Sequence, residues 1–222
     1  MSKLKVPKTG VVMIGYSGHA FVVGAAARRA GIRLAGYSEI KAVELDPLGL
    51  ADLGPHREVD WGPDLTYFIA IGDNALRSRL DRELAPLAKP ASAVVDPAAF
   101  YCEMATVAEL SFVAAGAVVQ ALARVGRGAI VNSGAVVEHE TVIGAFAHVG
   151  PNATLAGAVR VGGGAFIGSG SQVAPGLTVG ADAILGAGST LLEDLPAGET
   201  WVGSPARPTA ASLAARRERS GL

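Results

Sequence analysis

Glu138-His139-Glu140 sets an imidazole between two carboxylates. An imidazole changes charge near neutral pH, and a carboxylate on one ring nitrogen fixes its tautomer and stabilises the imidazolium. The other nitrogen then suits a general base that takes a proton from an attacking amine or hydroxyl. The next histidine is His148, and the chain has four in all. Spacing alone also fits two unrelated surface histidines beside solvating acids. A second candidate is Gly15-Tyr16-Ser17-Gly18-His19, which follows the apolar run from Val11. A loop that leaves a first strand and feeds a helix N-terminus suits an anion or a nucleotide. It is no dinucleotide fingerprint, because Ser17 and Ala20 stand where glycines belong. The bland alternative is a plain strand-to-helix turn. Cys102, the one cysteine, excludes an internal disulfide framework and reads as a half-buried filler.

The element that must position His139 and His148 is a repeat. From Val107 to Leu191, every sixth residue is Val, Ile or Leu. The fifth place of each hexad is nearly always small, as in Ala117, Ala135, Ala147 and Ser171, with Val159, Leu177 and Leu195 the larger ones. Glycine often takes the second place, as in Gly126, Gly144, Gly162 and Gly180. A period of six fits neither a helix nor a hairpin meander. It fits a parallel β-helix with three hexads per triangular coil, the first residue inward and the fifth near a corner. The second-place glycines are then expected to supply positive φ in the turns. Fifteen hexads make five coils, a prism about 24 Å tall at the usual strand spacing. His139 falls third and His148 sixth in their hexads, so both are expected on the outer surface or an edge. By this count His139 lies in the second coil, near the first domain.

The chain ahead of the prism reads strand (Val11 to Gly15), helix (His19 to Ala30, ending at Gly31), strand (Arg33 to Ser38). After an irregular stretch over 40–64 come a strand from Leu65 to Ile71, a helix from Asn74 to about Leu87 and a strand from Ala91 to Val95. Asp73 or Asn74 is the expected N-cap. This pattern makes a small, Rossmann-like parallel sheet with helices over 1–98, a prism over 99–196, and a tail with a short helix over 197–222. The net charge of -1 gives no reason to expect nucleic acid or an anionic membrane as partner. No apolar core follows the N-terminal lysines, and no run reaches 18 apolar residues, so no membrane insertion and a cytoplasmic location are expected.

Taken together, certain motifs resemble one family: the hexapeptide-repeat acyltransferases, and more closely the sugar acetyltransferases of the sialic acid O-acetyltransferase, bacillosamine and perosamine N-acetyltransferase type. The residues that carry the resemblance are the Gly15-to-His19 turn, Ala70-Ile71-Gly72-Asp73-Asn74 and Val136-Val137-Glu138-His139-Glu140. Phe146-Ala147-His148-Val149-Gly150, Ala156-Gly157 and Val202-Gly203-Ser204-Pro205-Ala206-Arg207 complete them. The resemblance implies that the β-helix is left-handed and that the protein is a homotrimer with active sites between neighbouring prisms. It implies an acetyl-coenzyme A-dependent acetyltransferase acting on an amino or hydroxyl group of a nucleotide-linked amino sugar, in cell-surface glycan or lipopolysaccharide biosynthesis, with no metal.

Residue by residue, the resemblance makes His139 the base and Glu140 the acid that orients it. His148 becomes a histidine near the thioester, and the Gly157 N–H the donor to the acetyl carbonyl. Ser169 and Ala187 fall where backbone meets the pantetheine arm of coenzyme A. Gly18, His19 and Asn132 match contacts to the nucleotide sugar. Ser38-Glu39 stands where relatives carry acidic residues that hold the base, which leaves the nucleotide open. The alternatives are O-acetylation of a free sugar, or an inactive nucleotide-sugar-binding trimer.

Overall fold

The computed structural model describes residues 8–220; the lysines at 3 and 5 lie outside them. The first domain is β1 (Thr9–Ile14), α1 (Gly18–Arg29), β2 (Leu34–Ser38), β3 (Asp64–Ile69), α2 (Asn74–Leu84) and β4 (Lys89–Pro90). The four strands form a parallel sheet in the order β2-β1-β3-β4. The apolar run that ends β1 is central and buried at Val12, Met13 and Ile14. The Asp73 carboxylate accepts from the Leu76 N–H at 2.7 Å, the expected N-cap of α2. No helix or longer strand forms over the expected irregular stretch.

The prism follows, as two-residue parallel strands made of the sixth and first places of successive hexads. Its first face holds Phe112–Val113, Ile130–Val131, His148–Val149, Phe166–Ile167 and Ile184–Leu185. The second face holds Val118–Val119, Val136–Val137, Thr154–Leu155, Gln172–Val173 and Thr190–Leu191. The third holds Arg124–Val125, Val142–Ile143, Arg160–Val161 and Thr178–Val179. First- and fifth-place side chains from Val113 to Leu191 form the buried core.

Three expectations need correction. The coils number six rather than five, because Val94–Val95, Phe100–Tyr101 and Thr106–Val107 already form a first coil. Val95 and Tyr101 keep the spacing of six, but Pro97 and the aromatic second strand hide it. Val94–Val95 therefore joins the prism, and the fourth strand of the first sheet is Lys89–Pro90. The positive-φ residues stand at the fourth place, not the second. They include Gly116, Gly128, Gly134, Leu122, Glu140, Phe146 and Asn152. The second-place glycines do something else. A Cβ at Gly144 would lie 2.5 Å from the Gly163 nitrogen, and one at Gly162 2.4 Å from the Ala181 nitrogen. They let the corner of one coil close onto the next.

The first domain covers the first face. Phe112, Ala114 and Ile130 share one core with β1, β3 and α1. Arg127 pairs with Asp81 of α2 at 2.7 Å, and Arg29 of α1 pairs with Asp96. A C-terminal hairpin, Thr200–Gly203 with Ala206–Pro208, extends the first face, and α3 (Ala210–Ser220) ends the described chain.

Candidate active site

His139 lies in the corner between the second and third faces, in the third coil. Its Nδ1 is 3.2 Å from Glu140 Oε2, and both side chains are 60% exposed. A carboxylate only accepts, so in the neutral ring the Nδ1 proton points at Glu140 and the lone pair lies on Nε2. Glu140 reaches back because its own backbone is left-handed, with φ 60°. On the other side the imidazole lies against Gly157 of the next coil. A Cβ there would stand 2.5 Å from Cε1 and 2.6 Å from Nε2.

His148 does face out of the prism, but it is buried, against the expectation of an outer or edge position. The first domain sits on top of it. The Asn132 Nδ2 is 3.1 Å from His148 Nε2, and the Gly72 carbonyl is 3.4 Å from Nδ1. Asn132 Oδ1 accepts the Ser133 N–H at 2.8 Å, so Nδ2 is the amide end at the imidazole. His148 is therefore a neutral ring with its proton on Nδ1. Burial, then the nearby Arg77 charge, pushes its pKa down to about 4. His19 on α1 packs edge-on against Phe112 at 5.7 Å and lies 6.4 Å from His148. Its pKa is also pushed down to about 4, first by burial and then by Arg77.

The turn ahead of α1 is open. The Ser17 side chain caps nothing, and a Cβ at Gly18 would meet nothing within 4 Å. Ser38 is buried, and its carbonyl accepts the Gly15 N–H at 2.9 Å. The Glu39 carboxylate accepts the Tyr16 N–H at 3.1 Å and the Ile40 N–H at 2.7 Å. It fastens the turn as well as bordering it.

The site residues fall on different edges of one prism. His139 and Gly157 share the corner between the second and third faces. Asn132, Ser169 and Ala187 lie on the corner between the first and second faces. His139 is thus on the edge opposite the face that the first domain covers, not beside that domain. A cleft of about 740 Å³ runs along the remaining corner between α2 and Phe146, Phe166 and Ile184, and takes in neither group.

The comparisons bear on this geometry. Residues 158–193 match the family described as bacterial transferase hexapeptide (six repeats). The perosamine N-acetyltransferase from Caulobacter crescentus, crystallised with CoA and GDP-perosamine, superposes with a TM-score of 0.85 at 36% identity, over 93% of this chain and 100% of its own. This chain belongs to the hexapeptide-repeat sugar N-acetyltransferases. The acetyltransferase domain of PglB from Neisseria gonorrhoeae, solved with acetyl coenzyme A, matches with a TM-score of 0.83 at 30% identity, over 90% of this chain and 98% of that one. WeeI from Acinetobacter baumannii shares the fold, with a TM-score of 0.79 at 21% identity. No curated protein sequence matches the chain.

The enzyme is an acyltransferase, and its repeat supplies the scaffold common to this family. Sequence reasoning missed two features that surround His148. One is the sixth-place row Phe112, Ile130 and His148, which recurs every third hexad, is buried, and marks the part of the face that the first domain covers. That periodicity was present in the sequence and shows that His148 belongs to a buried seam. The other is Arg77, a fully buried guanidinium on α2. No helix of the described residues is long and apolar enough to cross a membrane.

Proposed function

We propose that this acetyltransferase moves the acetyl group of acetyl-coenzyme A onto the amino group of a sugar carried by a nucleoside diphosphate. It works as a cytoplasmic homotrimer, with His139 as general base. The observation that carries the reading is the likeness to an enzyme crystallised with CoA and GDP-perosamine, held over 93% of the chain. The His139-Glu140 pair supports it, because Nε2 keeps its lone pair and the side chain is exposed.

The chemistry follows from the groups. The sugar amine attacks the thioester carbonyl carbon, and His139 Nε2 takes the proton that the amine sheds. Glu140 stabilises the imidazolium that forms. The Gly157 N–H donates to the oxyanion of the tetrahedral intermediate. When the intermediate collapses, the C–S bond breaks, coenzyme A leaves, and its sulfur takes up the proton as a thiol. Ser169 and Ala187 border the pantetheine arm. Gly18, His19, Ser38, Glu39 and Asn132 serve the nucleotide sugar. The separation of His139 from Asn132, Ser169 and Ala187 on one prism supports a site built from two subunits.

The test is thiol release from acetyl-coenzyme A with GDP-linked and UDP-linked amino sugars. Turnover that requires an amino-sugar nucleotide, with GDP-linked 4-amino sugars favoured, is the expected result. No thiol release with any of them would overturn the reading.

A further inference from the structure

Arg77 spends every donor it has. Nε donates to the Gly128 carbonyl at 2.9 Å. Nη1 donates to the Ile71 and Gly72 carbonyls at 3.0 and 2.9 Å. Nη2 donates to Asn74 Oδ1 and to the Phe146 carbonyl, each at 2.9 Å. The guanidinium therefore ties the loop after β3 to two coils of the prism. It meets no carboxylate in any of these bonds, and burial pushes its pKa down to about 10. A buried cation bonded only to neutral acceptors costs stability, and a well-packed apolar side chain would join the domains at lower cost. Its placement calls for another account.

The acceptor it shares supplies one. The Gly72 carbonyl that takes the Arg77 Nη1 proton also faces His148 Nδ1 at 3.4 Å. That carbonyl keeps the His148 proton on Nδ1. His148 Nε2 is left as an acceptor and draws the Asn132 amide by its Nδ2 end at 3.1 Å. Asn132 then has one more Nδ2 proton to offer to the sugar nucleotide, on the corner between the first and second faces.

We propose that Arg77 is a positioning residue of the nucleotide-sugar site: by holding the Gly72 carbonyl it fixes the tautomer of His148, whose Nε2, together with the Ser133 N–H on Oδ1, sets the direction in which the Asn132 amide faces. The place of Asn132 in the sugar site rests on the function proposed above; the relay itself does not. The titratable and charged groups that act on His148 are His19 from α1 and Arg77 from α2, and Asp73, the N-cap of α2, acts in turn on Arg77. The Arg77 charge also lowers the proton affinity of both rings, which keeps an acceptor at Nε2.

Two measurements test this. The first uses the free wild-type protein, with ¹⁵N-labelled histidine and long-range ¹H–¹⁵N spectra at neutral pH. His148 is expected as the neutral Nδ1–H form. An Nε2–H or charged ring would overturn the relay, whatever the substrate turns out to be. The second uses Arg77→Lys, whose single ammonium cannot reach five acceptors in a fixed fork. The His148 signals should shift toward mixed tautomers. KM for the sugar nucleotide should rise about tenfold or more, with KM for acetyl-coenzyme A nearly unchanged. A mere staple would lower Tm and leave both the tautomer and the ratio of the two KM values where they were, and that outcome overturns the proposal. Should Arg77→Lys fail to fold, Arg77→Met, which fills a similar volume with no donor, is read by the same spectrum and the same ratio of KM values. Wild-type protein that turns over no amino-sugar nucleotide would sink the proposed function, yet leave the spectrum to judge the relay.

Discussion

The His139 imidazole rests on the backbone of Gly157, with its Nε2 2.6 Å from where a Cβ at that position would sit. The two residues come from successive coils, and the absence of a side chain at 157 is what lets the ring lie there. Gly157 is not among the positive-φ glycines, so alanine fits its backbone. Gly157→Ala should therefore fold normally, displace the imidazole and lower kcat by about 10²-fold, the scale of a misplacement near 1 Å. KM for the sugar nucleotide should hardly move. Steady-state kinetics check this, and a near-normal kcat would show that the ring position is not used.

His139→Ala and His139→Asn remove the base without touching the core, since the side chain is 60% exposed. The expected loss is about 10²–10⁴-fold in kcat. Coenzyme A binding, followed by calorimetry, should persist. The Caulobacter crescentus relative was itself crystallised with a histidine replaced by asparagine and by alanine, each with CoA and GDP-perosamine bound. Full turnover in a purified His139 variant would remove this residue from the mechanism.

Stability should fall on mild acidification. His19 and His148 each hold a folded-state pKa of about 4 against an ordinary value of 6.5. Above 6.5 neither state binds the proton. Between 6.5 and 4 the unfolded chain takes up a proton that the native protein refuses, so the native state loses ground. The slope is at most about 1.4 kcal/mol per pH unit for each histidine. Asp96, held low by the Arg29 hydrogen bond, acts only at more acid pH. Denaturant midpoints measured from about pH 7 to about pH 5 should drop, and His148→Gln should flatten part of the slope. A level profile would mean that the two rings are not held neutral.

The two glycine roles in the repeat predict opposite responses. A Cβ at Gly126 would stand 2.7 Å from the Ile143 carbonyl oxygen, so Gly126→Ala should cost about 1–3 kcal/mol by overpacking. Leu122 occupies the fourth place with φ 62° and is 55% exposed. Leu122→Gly should leave stability unchanged or raise it by up to about 1 kcal/mol, as left-handed strain is relieved. Thermal unfolding of the two variants decides the assignment, and the reverse ranking would refute it.

These glycines show where sequence reading stops. The first- and fifth-place residues announce the prism, because a packed inner wall admits only certain sizes at a fixed period. The turn conformation is not announced, because Leu122, Glu140 and Phe146 adopt it without being glycine. Coil geometry forces them there. The His139-Glu140 pair is legible because the two are adjacent in sequence. Arg77 is not, since its acceptors at Gly128 and Phe146 are remote in sequence and are backbone carbonyls that no residue type reveals. The burial of His148 falls between these cases. Phe112 and Ile130 mark its row, but only once the count is taken in eighteens.

The opposed corners give the most decisive test. If one active site takes His139 from one protomer and His19 from its partner, two impaired variants should restore each other. A His139→Ala chain co-expressed with a His19→Ala chain forms mixed trimers. In some interfaces the intact His139 of one chain then faces the intact His19 of the other. Those sites carry both native side chains, so activity should return to a fraction of the wild-type level, while either variant alone stays low. Differently tagged chains purified in tandem ensure that only mixed assemblies are assayed. A site confined to one chain gives no rescue, because every chain then lacks either its base or its sugar contact. Absence of rescue in assemblies shown to be mixed would return the whole site to one protomer, against the separation of the two corners.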